Sequence, residues 1–100
     1  MAKIVIVEND KDIGPLMEQL LLLEGHQVIW ISDPSQAMES IRRHRPALVY
    51  LDLRLGGQMD GFAVLRQIRA ELDTPVLMSS GLDMERECLR AGANGFLFKP

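Results

Sequence analysis

Ile4-Val5-Ile6-Val7-Glu8-Asn9-Asp10 sets four consecutive β-branched apolar residues directly before three polar ones. A run of this kind has no polar face. As a strand it must be covered on both sides, which is the mark of a parallel sheet with helices on each face. The pattern recurs in Val28-Ile29-Trp30-Ile31, Ala47-Leu48-Val49-Tyr50-Leu51, Pro75-Val76-Leu77-Met78 and Gly95-Phe96-Leu97-Phe98. Segments of helical spacing lie between these runs. Ile13, Leu16, Met17 and Leu20 recur on one helical face before Gly25, a residue suited to follow a helix C-terminus. Pro15 falls too far into that segment for a first-turn proline, so Gly14-Pro15 predicts an irregular start. Asp33-Pro34 predicts an N-cap and a first-position proline for a helix reaching about His44. Asp60 can cap a helix with Leu65, Ile68 and Leu72 on one face, and a short helix bearing Met84, Cys88 and Ala91 ends at Gly92. The order βαβαβαβαβ, with right-handed crossovers, predicts a doubly wound α/β domain.

Composition agrees with one globular domain. The 100 residues are 47% hydrophobic and 25% charged, with a net charge of −3, too apolar and too weakly charged for a disordered chain. The slight acidity and the lack of a Lys/Arg run argue against nucleic acid or an anionic membrane as partner. Arg42-Arg43-His44-Arg45, the densest basic stretch, reads as a solvated helix end where cations suit the helix dipole. No apolar run approaches the ~18 residues of a membrane span, and the N-terminus lacks the layout of a signal peptide. Cys88 stands alone, so no disulfide framework is expected, and a reducing cytoplasm is the expected setting. Cys88 and Met84 read as core, Trp30 as packing near the sheet edge, and His26 and His44 as surface residues at or beside helix ends.

In an open parallel sheet, ligands bind outside the carboxyl ends of the strands. That rule gathers scattered residues into one set: Glu8-Asn9-Asp10 after the first strand, Asp52 after the third, Ser79-Ser80 after the fourth and Lys99 after the fifth. Together they offer acidic and amide oxygens for a hard cation, a hydroxyl and one ammonium. Mg²⁺ prefers such oxygens and is commonly held by one or two carboxylates. A carboxylate at Asp52 can accept a phosphoryl group as an acyl phosphate, with Mg²⁺ and Lys99 neutralising its oxygens and the Ser80 hydroxyl hydrogen-bonding one of them.

These residues resemble the receiver domain of bacterial two-component response regulators along the whole chain. Val7-Glu8-Asn9 matches an apolar strand ending in an acidic pair. Leu51-Asp52-Leu53 and Met59-Asp60-Gly61 match the phosphoacceptor and the Asp-Gly that opens the next helix. Val76-Leu77-Met78-Ser79-Ser80-Gly81 is similar to the segment supplying the switch Ser/Thr, here Ser80. Gly95-Phe96-Leu97-Phe98-Lys99-Pro100 is similar to the closing strand and its Lys-Pro pair. The resemblance implies a flavodoxin-like, five-stranded parallel sheet of order 2-1-3-4-5. It implies transfer of phosphate to Asp52 from a histidine kinase or histidine phosphotransfer protein, with Lys99 and Ser80 assisting. Mg²⁺ would be held by Glu8, Asn9, Asp52 and the backbone carbonyl of Arg54. Output would run through Ser80 and an inward swing of Phe96, which stands where a tyrosine is commoner. The Lys99–Pro100 bond is expected to be cis. Such a domain is a signalling switch and not an enzyme beyond self-catalysed phosphotransfer and dephosphorylation.

The chain departs from the family pattern in three places. Asn9 replaces a metal-ligating aspartate, removing one negative charge and predicting weaker Mg²⁺ binding; Asp10 can substitute through a water, but its spacing better suits a cap for the first helix. The stretch Leu55-Gly56-Gly57-Gln58-Met59 lacks the usual proline and is one residue longer. Its two glycines lack the spacing and lysine of a phosphate-binding P-loop and read as a flexible turn. The family usually continues into a fifth helix after Lys-Pro, whereas this sequence stops at Pro100. A trimmed chain, or a homodimer covering the exposed strand face, is the expectation. Two further readings stand beside the phosphoacceptor: a degenerate receiver that binds partners without phosphorylation, suggested by Asn9, and an independent flavin or phosphatase enzyme, for which no cofactor loop or second base is found.

Overall fold

The apolar run near the N-terminus forms β1 (Lys3–Val7), followed by α1 (Ile13–Leu23) and β2 (Gln27–Ile31). A 3-10 turn (Pro34–Gln36) leads into α2 (Ala37–His44), then β3 (Leu48–Asp52), α3 (Gly61–Glu71), β4 (Val76–Ser80), α4 (Glu85–Arg90) and β5 (Gly95–Phe98). This computed structural model describes residues 1–55 and 60–99. The expectations for Gly56-Gly57, for the length of that loop and for the Lys99–Pro100 bond lie outside the described residues.

The five strands are all parallel, in the order β2-β1-β3-β4-β5. Strand residues alternate between the two faces, so each face has its own core. Val5, Val7, Val49, Leu51, Val76 and Met78 pack with Ile41, Val64, Leu65, Ile68 and Cys88 of α2, α3 and α4. Ile4, Ile6 and Tyr50 on the opposite face pack with Met17 and Leu21 of α1. Burial on both faces explains why β1 carries no polar residue between Lys3, at its half-buried start, and Glu8. Among the described residues, no helix is long and apolar enough to cross a membrane.

Local signals behave as their chemistry requires. Asp60 Oδ1 accepts from Ala63 N at 2.8 Å and caps α3, and Asp33 Oδ1 accepts from Ser35 N at 3.0 Å. Asp33 therefore caps the 3-10 turn, and regular α-helix begins only at Ala37. Gly25 and Gly92, at φ 88° and 111°, follow α1 and α4. Arg42, Arg43 and His44 occupy the last turn of α2, with Arg42 paired to Glu71 of α3. Cys88 is buried and Met84 packs against the same core.

The irregular start expected at Gly14-Pro15 is present. Gly14 N donates to Asp10 O at 3.0 Å and Leu16 N to Asp12 O at 3.3 Å, but between them Pro15 has no N–H to give Lys11 O, so regular α-helix begins only at Ile13, with Pro15 its third residue. Asp10 holds the chain ahead of that break: its Oδ1 accepts from both Asp12 N (2.8 Å) and Ile13 N (3.0 Å).

Candidate functional site

Three chain segments converge at the carboxyl edge of the sheet. Glu8 immediately follows β1, Asp52 is the last residue of β3, and Lys99 immediately follows β5. Lys99 reaches this place because its N–H donates to Ser80 O at 2.8 Å, continuing the β4–β5 ladder past Phe98. Its ammonium Nζ then lies 3.0 Å from Glu8 Oε1 and 3.2 Å from Asp52 Oδ2. Glu8 is fully buried and Asp52 is 5% exposed. Their remaining oxygens are also engaged: Asp10 N donates to Glu8 Oε2 at 3.2 Å, and Arg54 N donates to Asp52 Oδ1 at 3.2 Å.

Two carboxylates share one ammonium, leaving an excess of negative charge where water is scarce. Burial and the hydrogen bond with Asp52 push Glu8 up to about 7, and the opposing Lys99 contact offsets only part of this. Burial alone would lower Lys99, but its hydrogen bond to Glu8 and the charge of Asp52 hold it above the ordinary lysine value. A divalent cation would relieve the excess. Among the described residues, no group of three or more His, Cys, Asp or Glu side chains is placed to hold a metal. Such an ion would find the two carboxylates here, and amide, carbonyl or water oxygens would have to complete its shell. That all-oxygen composition fits Mg²⁺, which keeps several waters, and does not suit zinc or copper.

The other expected residues take different places. Ser80 ends β4 and is buried, and its Oγ accepts from Leu82 N at 3.0 Å. Phe96 is half-buried in β5 and packs against the core shared with α2, α3 and α4, apart from the charged group. Asn9 is exposed, beside Glu8 but not among the groups in contact with Lys99. Asp10 is occupied as a helix cap.

Two neighbours of the site were not foreseen as such. Tyr50 Oη donates to Ser79 Oγ inside the sheet, joining Tyr50, two residues before Asp52, to the register partner of Asp52 on β4. Burial raises the phenol above its ordinary value. A lone tyrosine in an aliphatic strand is the available signal, since a buried hydroxyl requires a partner. Trp30 Nε1 donates to Glu8 O at 2.8 Å. Gly61 also serves the site. A Cβ there would lie 2.5 Å from Asp52 O and 2.7 Å from Leu53 Cα, so only glycine lets α3 start against the chain that carries Asp52.

A family model for the response regulator receiver domain matches residues 4–100. Among solved structures, the chain is similar to the BeF3-activated N-terminal receiver domain of RstA from Klebsiella pneumoniae: 32% identity, TM-score 0.90, 98% of this chain and 87% of that one. It is similar to NtrX from Brucella abortus at 33% identity and TM-score 0.89, covering 99% of this chain but only 23% of the NtrX chain. The receiver domain of the Francisella response regulator 1452 shares the fold, with TM-score 0.93 at 24% identity over 100% of this chain and 85% of that one.

Proposed function

This chain belongs to the response regulator receiver family, and from that premise we propose that Asp52 is the phosphoacceptor of a two-component signalling switch. Receiver domains receive phosphate from histidine kinases or phosphotransfer proteins and generally bind Mg²⁺ at the phosphorylation site. The observation that carries the reading for this chain is the Lys99 ammonium lying between the buried Glu8 and Asp52 carboxylates.

In the proposed transfer, an Asp52 carboxylate oxygen attacks phosphorus, the P–N bond to the donor imidazole breaks, and its electron pair stays on the imidazole nitrogen. The product is an acyl phosphate on Asp52. Lys99, now 3.2 Å from Asp52 Oδ2, is within reach of the added phosphoryl oxygens and offsets their charge. Glu8, Asn9, Asp52 and the Arg54 carbonyl would hold Mg²⁺, which when bound neutralises phosphoryl oxygens. Glu8 keeps the ammonium anchored while Asp52 changes its partner. Ser80 has its hydroxyl at the end of β4, and turning it from Leu82 N toward Asp52 would loosen the start of the β4–α4 loop. Phe96, half-buried on the adjacent strand, would move inward as that loop shifts.

Incubation with acetyl phosphate and Mg²⁺, followed by a phosphate-retarding gel, tests the reading. The wild type is expected to yield a retarded band that Asp52→Asn does not. An unmodified wild type would instead favour the degenerate, interaction-only receiver, which Asn9 in place of an acidic ligand supports.

A further inference from the structure

Glu8 has to be aimed as well as present, and its main chain is held from both sides by β2. Glu8 N donates to Ile31 O at 3.1 Å, continuing the parallel ladder of β1 and β2. The ladder would next require a main-chain donor for Glu8 O. However, β2 ends at Ile31, and the chain turns so that Asp33 caps the 3-10 turn. The indole of Trp30 supplies the donor instead, with Nε1 2.8 Å from Glu8 O. The ring can reach that oxygen because residue 14, in the first turn of α1, is glycine. A Cβ at Gly14 would lie 2.2 Å from Trp30 Nε1 and 2.3 Å from Cε2. The one tryptophan of the chain therefore bridges edge strand, first helix and the limb that carries the acidic residues.

Because the peptide unit is planar, fixing Glu8 O also fixes the Asn9 N–H and the direction in which the chain leaves the sheet. The Glu8 side chain projects from that same anchored residue onto Lys99. We propose that Trp30 is a positioning residue for the cation-holding limb Glu8-Asn9, acting through its indole N–H on the Glu8 carbonyl. This rests on the reading of Glu8 and Asp52 as Mg²⁺ ligands. It assigns Trp30 a role in the site that packing at the sheet edge does not supply.

The test uses the full chain and Mg²⁺ alone as probe. Trp30→Phe keeps a ring over Gly14 but loses the N–H, and calorimetric titration is expected to show Mg²⁺ binding weakened about tenfold, typical for loss of a partner that orients a metal ligand. Gly14→Ala, which displaces the indole, is expected to weaken binding in the same direction. A purely packing role would lower the melting temperature of Trp30→Phe and leave its Mg²⁺ affinity at the wild-type value, overturning the inference. In the unmutated, ¹⁵N-labelled protein, the indole N–H resonance is expected to shift with Mg²⁺ along the calorimetric binding curve. Saturable Mg²⁺ binding with an unmoved indole resonance would equally overturn it. A wild type with no saturable Mg²⁺ binding would remove the underlying site reading, an outcome distinct from the other two.

Discussion

The side chain of Lys99 decides whether two buried carboxylates can coexist. Removing it in Lys99→Ala leaves Glu8 and Asp52 facing each other without a counter-charge, and a loss of about 2 kcal/mol at neutral pH is expected. Denaturant unfolding at pH 7.5 and pH 5 checks this, because the loss should shrink when one carboxyl is protonated. The wild type carries the same tension in milder form. Glu8 rises from 4.5 to about 7 in the folded state, so between those values the fold holds a proton that the unfolded chain releases. Stability therefore falls as pH rises through that window. Asp10, Asp33 and Glu71 are shifted the other way and lose their contributions only under more acidic conditions. Lys99, held above 10.5, stays charged throughout. In EDTA the melting temperature is expected to decline from pH 5 to pH 7.5, and Mg²⁺ should flatten the decline; a rise over that interval would contradict the assignment. Tyr50 and Ser79 are a second coupled pair. Tyr50→Phe and Ser79→Ala each break a buried hydrogen bond and are expected to destabilise by about 1 kcal/mol, the second leaving a phenol without its partner. The double variant should lose less than the sum, as a thermodynamic cycle would show.

At the scale of elements, α3 is fitted to β3 through its N-cap and its first residue. Asp60 supplies the cap and Gly61 the clearance, with Gly61 N donating to Leu53 O at 2.8 Å. Alanine ordinarily stabilises a helix over glycine by about 1 kcal/mol. At residue 61 the sign should reverse, because the added Cβ meets main-chain atoms of Asp52 and Leu53 that cannot yield as a flexible side chain would. Gly61→Ala is expected to melt below the wild type and to accept phosphate more slowly from acetyl phosphate, as Asp52 is displaced. The capping role of Asp60 was legible from the sequence, because caps act across three residues. The need for glycine beside it was carried only by its likeness to a motif, since the atoms it must avoid belong to another element.

Across the whole molecule, β5 delivers Lys99, and the segment leading into β5 is clasped by α3. Arg69 donates to Gly92 O and Thr74 O, each at 2.8 Å, and to Asn94 Oδ1, which in turn accepts from Val76 N. Arg69→Met should keep the stem but release these bonds. Amide hydrogen exchange at Asn94 and Gly95 is expected to quicken while β1 stays protected. The chain by itself determined the alternation of elements, because strands apolar on both faces admit few arrangements. It also determined the helix caps and the short set of polar residues at strand ends. Pro15 is legible in the same local way: without an N–H it interrupts the turn that Asp10 starts, and regular helix begins only at Ile13. Only the tertiary structure decided which polar groups meet. Glu8 and Lys99 are 91 residues apart, Trp30 is 22 from Glu8, and Tyr50 is 29 from Ser79. Contacts of that span follow from strand order and register, and periodicity in a linear sequence reports faces and not neighbours.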